Sequence, residues 1–198
     1  GKVALLRAGA FDDVDVAMMI HPSSRTLASR TSLASNRVDA EFFGRAAHAA
    51  AQPDRGINAL DGVLQTFNAV NAMRQQLRPD ARVHGIVTSG GSAANIIPEY
   101  ASSKWSVRAL DRRYQQEVLQ RFIACAEGAA TATGTRVQIT VHDDSGYENM
   151  IPSTPLAERW AAHLKGLGLE VMPSTEDERM GSTDMGNVSQ VLPAIHPY

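Results

Sequence analysis

In Val38-Asp39-Ala40-Glu41-Phe42-Phe43, apolar and charged side chains alternate, the two-residue period of a strand with one covered face. A loop of small residues follows, Gly44-Arg45-Ala46-Ala47-His48-Ala49-Ala50-Ala51-Gln52-Pro53-Asp54-Arg55-Gly56. From Asn58 to about Leu77 the period changes: Leu60, Val63, Leu64, Phe67, Val70 and Leu77 fall on one helical stripe. Asn58 is a suitable cap, and Pro79-Asp80 marks the stop. Strand, loop and helix in that order begin a β-α unit.

Downstream the pattern completes itself. Arg82 to Thr88 reads as a strand broken by Gly90-Gly91, and Tyr100 to Leu110 reads as the next. There Trp105, Val107 and Ala109 share one face while Lys104, Ser106 and Arg108 share the other. A second helix from about Arg113 to Thr133 buries Tyr114, Val118, Phe122, Cys125 and Ala129, with Gly134 placed as its left-handed cap. Val137, Ile139 and Val141 alternate in a last strand. The order β-α-β-β-α-β predicts a ferredoxin-like sandwich, one sheet with two helices on one face.

The flanks read as α/β. Val14 to Ile20 is nearly all apolar, which predicts a strand covered on both faces, ended by His21-Pro22. Ser23 to Ser35 is patternless and reads as a linker. Thr154-Pro155 opens a helix striped by Leu156, Trp160, Leu164 and Leu167, and Leu169 to Met172 reads as a short strand. Gly181 to Ser189 is a polar loop entering a helix. The expected organisation is a sandwich at 34–145 inserted between two pieces of one α/β domain, 1–33 and 146–198.

Composition narrows the class. The net charge is 19 − 21 = −2, so no positive field draws nucleic acid or an anionic membrane. The single Cys125 excludes an internal disulfide and any multi-thiolate metal site, and it fits a cytoplasmic setting. No segment has the roughly 18 apolar residues of a membrane span, and no signal peptide is visible. The chain starts without Met and stops in apolar sequence at Ala194-Ile195-His196-Pro197-Tyr198, which reads as a fragment of a longer polypeptide.

Several side chains sit where ligands are met. His21, at the carboxyl end of a strand, is placed to bind zinc or to serve structure beside Pro22. His48, among alanines, is either a donor to a developing oxyanion or a surface imidazole. Asn95, after Gly90-Gly91-Ser92-Ala93-Ala94, is either a substrate-facing amide or a turn residue. Arg108 is either a bidentate carboxylate binder or a solvated arginine on a sheet face. Ser182-Thr183-Asp184 is either a helix cap or a substrate loop. There is no H-E-x-x-H and no carboxylate pair at useful spacing.

Taken together, Val14 to Pro22, Gly44 to Ala50, Gly56 to Ala59, Asn95-Ile96-Ile97-Pro98, Ser106-Val107-Arg108 and Gly181 to Ser189 resemble the zinc-dependent aminoacylase, carboxypeptidase and dipeptidase superfamily of amidohydrolases. The branch of β-alanyl-lysine-type dipeptidases and aminobenzoyl-glutamate-type hydrolases looks most similar. The resemblance implies a zinc-binding catalytic domain, split into 1–33 and 146–198, carrying a dimerisation and lid domain. It implies two zinc ions in the complete protein, with His21 as a ligand. It also implies that His48 reaches into the partner subunit of a homodimer to stabilise the tetrahedral intermediate. Asn95 and Arg108 would hold the substrate's amide and terminal carboxylate, and Ser182, Thr183 and Asp184 would line the pocket. The family's His-x-Asp ligand motif and Glu-Glu pair match nothing here, and a final zinc-binding His is expected beyond Tyr198, with His196 set aside because Pro197 follows it. The expectation is therefore a hydrolase of an amide or dipeptide bond beside a free carboxylate, with this fragment itself inactive. The alternative is a non-catalytic module for dimerisation or small-molecule binding.

Overall fold

The computed structural model describes residues 1–174 and 181–198. In chain order its elements are helix α1 (Lys2–Arg7), strand β1 (Ala17–Met18), β2 (Ala34–Phe43), β3 (Ala47–His48), α2 (Ala59–Arg74), β4 (Arg82–Ser89), β5 (Ile96–Ile97), β6 (Tyr100–Ala109), α3 (Arg112–Thr133), β7 (Arg136–Val141), α4 (Thr154–Gly166), α5 (Met185–Ser189) and β8 (Ala194–Ile195). The chain forms two compact units. One contains Gly1–Ser35, Leu110–Arg112 and Asp144–Tyr198; the other contains Asn36–Ala109 and Arg113–Asp143.

The second unit is the β-α-β-β-α-β sandwich. Its four-stranded sheet runs β4-β6-β2-β7, the order of a split βαβ fold, with β2 antiparallel to β7 and β4 antiparallel to β6. The inward side chains of β2 and β6 alternate as the sequence pattern predicts: Val38, Ala40, Phe42, Trp105, Val107 and Ala109 are buried. Helix α2 begins where Asn58 Oδ1 accepts from Leu60 N–H at 3.0 Å. It buries Val63 and Val70, but Leu64 at the edge of the stripe is exposed. Helix α3 covers the rest with Val118, Leu119 and Phe122, and Gly134 has φ +71°, the left-handed cap position.

Trp105 is the centre of this core. It is 3% exposed, with the rings of Phe67 and Phe122 at 4.3 and 5.0 Å and Nε1 donating to Ser103 Oγ at 2.8 Å. Gly85 lies under it: a Cβ there would be 2.4 Å from the indole. Two polar side chains are buried without cost because each is bonded. Gln115 Nε2 donates to Val107 O at 3.2 Å, and Thr66 Oγ1 donates to Gly62 O at 2.8 Å.

The first unit departs from expectation in three places. The stretch from Val14 to Ile20 is not covered on both faces: Ala17 and Met19 pack against a cluster of Met150, Met185, Val188 and Leu192, but Met18 is 58% and Ile20 67% exposed. The reason is that β1 has a single strand neighbour, β8, and packing on one face only. The stretch 23–35 is not a free linker, since Leu27, Ser32, Leu33 and Ala34 are buried and Ser35 bridges Tyr147. Leu169 to Met172 forms no strand; Met172 makes one parallel bridge to Leu27. Helix α4 forms as predicted with Ser153, not Thr154, at its cap, and Leu156, Trp160 and Leu164 are only half-buried. No helix among the described residues is long and apolar enough to cross a membrane.

Candidate functional site

In the sandwich unit, the small-residue loop folds into a ribbon. Strand β3 pairs antiparallel with β5, His48 opposite Ile96, and Ala49 N–H donates to Asn95 O at 3.0 Å. Gly44 makes this possible: its N–H donates to Glu99 O, and a Cβ there would lie 2.0 Å from Ile57 O. The loop therefore brings His48 and Asn95 side by side although the sequence separates them widely.

The His48 ring is held in one protonation form by its own loop. Nδ1 accepts from Ala50 N–H at 3.3 Å and Ala51 N–H at 3.2 Å, while Gln52 N–H donates to His48 O. A nitrogen that accepts from two amides carries no proton, so the ring proton sits on Nε2. The side chain is exposed, so Nε2–H is presented outward as a donor. Asn95 is exposed beside it, with only its backbone carbonyl engaged in the ribbon. An open cavity of about 420 Å³ is lined by their chain neighbours Ala49, Ala94 and Ile96, with Gly91, Ser92 and Pro98, but by neither side chain.

Arg108 is elsewhere. It lies at the far end of the ten-residue strand β6 from Glu99 and Tyr100, roughly 25–30 Å away at the usual strand rise. It is half-buried on the face away from Trp105, and its Nε donates to Ser106 Oγ at 3.0 Å. Arg82 faces it directly across β4. The Arg82 guanidinium is turned to its own segment, donating to Pro79 O and Ala81 O. Within one chain the imidazole and the amide come together, and the guanidinium does not join them.

In the other unit, His21 N–H donates to Pro197 O at 2.9 Å, continuing the parallel pairing of β1 with β8 beyond Met18. Its ring is exposed at that strand end. Of the triplet 182–184, Thr183 Oγ1 accepts from Met185 N–H at 3.3 Å, a capping contact, while Ser182 Oγ is buried with no partner among the described residues. Asp184 stands at the cap of α5 but its carboxylate turns to Lys2, which donates from Nζ at 2.5 Å and from its backbone N–H at 2.8 Å.

Burial alone would raise the Asp184 carboxyl, but the hydrogen bonds and charge of Lys2 outweigh it and hold it below its ordinary value of 3.8. A depressed carboxyl stabilises the fold above the ordinary carboxylate range, and that contribution is lost as pH falls through the folded value. Lys2→Met should therefore raise the Asp184 pKa, read from its carboxyl carbon resonance over an acid titration. An unchanged midpoint would show that the pair contributes nothing.

Sequence reasoning set aside His196, which the structure buries next to His21. Burial first, then the nearby His21, Lys2 and Arg30, push its imidazole down to about 4, with Asp184 opposing, so it is neutral at ordinary pH. The signal was present in the sequence: Ile20-His21-Pro22 and Ile195-His196-Pro197 are the same tripeptide, ending two strands that turn out to be neighbours. Among the described residues there is no group of three or more His, Cys, Asp or Glu side chains able to hold a metal ion.

A family model described as a peptidase dimerisation domain matches residues 29–134. The Xaa-Arg dipeptidase of Mus musculus is 40% identical over 204 residues, covering 100% of this chain and 46% of that protein. A p-aminobenzoyl-glutamate hydrolase polypeptide of Escherichia coli is 32% identical over 178 residues, covering 89% of this chain and 37% of its own length. The chain thus spans about half the length, or less, of the curated relatives it matches. The crystal structure of an aminobenzoyl-glutamate utilization protein from Klebsiella pneumoniae superposes with a TM-score of 0.80 at 23% identity, over 98% of this chain and 52% of that one.

Proposed function

The chain belongs to the family that carries the peptidase dimerisation domain, and from that premise we propose that it is part of a metal-dependent amidohydrolase cleaving an amide or dipeptide bond beside a free carboxylate. The observation that carries the reading is His48, whose outward Nε2–H is fixed by two backbone donors to Nδ1 and stands beside Asn95. A donor held in advance meets negative charge as it grows on the carbonyl oxygen without reorganising. Asn95 orients the amide, since its side chain both donates and accepts. Arg108 takes the terminal carboxylate through its two parallel donors, and the 182–184 loop lines the pocket.

His48 and Arg108 are too far apart to serve one substrate within a chain, so the reading requires a homodimer in which the imidazole serves the partner's site. The edge strand β4 and helix α2 form that contact. β4 ends the sheet: Val87 and, on α2, Leu64 are 44% and 45% exposed, and Ile86, on the opposite sheet face, is 63% exposed. Ile86→Lys should convert a dimeric wild type into a monomer in sedimentation experiments at the same concentration. A wild type that stays monomeric at the highest attainable concentration would overturn the dimer.

His21 fits a metal ligand: it is an exposed imidazole at a strand end, beside a second, buried imidazole whose Nε2 has no partner among the described residues. A bound zinc ion supplies Lewis-acid polarisation of the scissile carbonyl. The remaining ligands and the general base belong to a longer protein, in keeping with relatives about twice this length. The test is a hydrolysis screen of that longer protein with Xaa-Arg dipeptides and aminobenzoyl-glutamate, measuring bound zinc in parallel. Turnover that is lost on chelation and restored by zinc is expected. A zinc-free protein without turnover would leave the dimerisation module as the whole function.

A further inference from the structure

The parallel register of β1 and β8 sets two imidazoles side by side. Met19 N–H donates to Ile195 O at 3.2 Å and His21 N–H to Pro197 O at 2.9 Å, so each of the two Ile-His-Pro tripeptides ends at the same rim of the ladder. The rings of His21 and His196 have centroids 5.8 Å apart and meet edge to face at 84°. Tyr198 closes the cluster, its ring 5.4 Å from His21 and 4.8 Å from His196. Arg30 lies over the outer face of that phenol at 3.7 Å.

One atom in this cluster is unexplained. His196 is 4% exposed, and its Nε2 is buried with no hydrogen-bond partner among the described residues. Buried polar atoms without partners are rare, and an ion or water completes many of them. The backbone on either side is fixed, since Ala194 and Ile195 are fully buried and paired to β1 and Pro197 O accepts from His21 N–H. The nitrogen is therefore held in place, in a cluster whose nearest rings are the Tyr198 phenol and the His21 imidazole.

We propose that His196 is a second imidazole ligand of the divalent cation for which His21 is the expected ligand, so that both strands of the β1–β8 pair contribute to one metal site. The inference rests on the reading of His21 as a ligand. Its geometry is consistent: with zinc–nitrogen bonds of about 2.0–2.1 Å, two imidazoles on one tetrahedral ion have ring centres about 5–6 Å apart. The observed 5.8 Å lies in that interval. Two imidazole nitrogens select zinc, nickel or cobalt over magnesium or calcium. Water completes the coordination in this chain, so binding is weak and exchange fast.

The test titrates the untagged 198-residue chain with zinc, and separately with magnesium, while following imidazole nitrogen resonances. The nitrogens of His21 and His196 should move together at one stoichiometry with zinc and not with magnesium. His196→Phe, which fills the buried space without a nitrogen, and His21→Ala should each weaken zinc binding at least 10-fold. If His21 shifts while His196 does not, or if a folded His196→Phe variant binds like wild type, the second ligand is overturned and the His21 reading stands. If the wild-type chain binds no zinc at millimolar concentration, the two-imidazole site is overturned. The role of His21 within a longer ligand set is then still open to the hydrolysis screen. If His196 shifts but His21 does not, both assignments fall. The spectra decide the question even if a variant fails to fold.

Discussion

On the proposed reading, replacing His48 with alanine in the longer protein should lower kcat about 100- to 1000-fold and leave KM close to wild type. The size follows from deletions of single donors at developing oxyanions, about 3–4 kcal/mol. The direction follows from the geometry. Nε2–H is exposed and fixed by Ala50 and Ala51, so it gains most when charge appears on the substrate oxygen and little before. Steady-state kinetics separate the outcomes: equal losses in kcat and kcat/KM support a transition-state donor. A rise in KM at constant kcat would make His48 a binding residue and remove the oxyanion role. Mixing His48→Ala subunits with Arg108→Ala subunits should restore part of the lost activity if each site draws on both chains.

Trp105→Ala in the 198-residue chain should cost about 3–5 kcal/mol of stability, the usual range for emptying a large aromatic from a core. Against a total of about 5–15 kcal/mol this is a large share of the stability of the sandwich unit. The indole is nearly inaccessible, lies between Phe67 and Phe122, and rests on Gly85, so no neighbour is free to fill the void. Its loss also removes the donor to Ser103 Oγ, leaving that hydroxyl only its long 3.5 Å bond to Ala40 O. Urea unfolding at two wavelengths measures the change. A cost below about 1 kcal/mol would show that the core collapses around the gap and is less rigid than its packing implies.

The sandwich was legible because its rules are local. The two-residue period of Val38 to Phe42, the helical stripe from Leu60 to Val70 and the glycine after Thr133 each specify an element without reference to the rest. The first unit was less so. An apolar run such as Val14 to Ile20 reports what a strand is made for, not how much of it is covered in the chain at hand. The site was half-legible. His48 and Asn95 stood out as loop residues among small neighbours, but their pairing depends on hydrogen bonds between distant segments. His196 was missed for a similar reason: whether a His-Pro step is buried or solvated depends on which strand lies alongside, and that strand is at the other end of the chain. The turn of Asp184 toward Lys2 was equally invisible, since a residue at a cap position normally serves its own helix.

The pairing of Ala17 with Ala194 also sets a timetable for synthesis. Apart from Leu110–Arg112, the sandwich unit is continuous from Asn36 to Asp143, so it can assemble on the ribosome soon after its last strand emerges. The segment holding β1 leaves the exit tunnel before all of this and then waits, its backbone unpaired and Ala17 and Met19 uncovered, until Ala194 and Ile195 are made. During that interval it is the natural grip for a holdase chaperone.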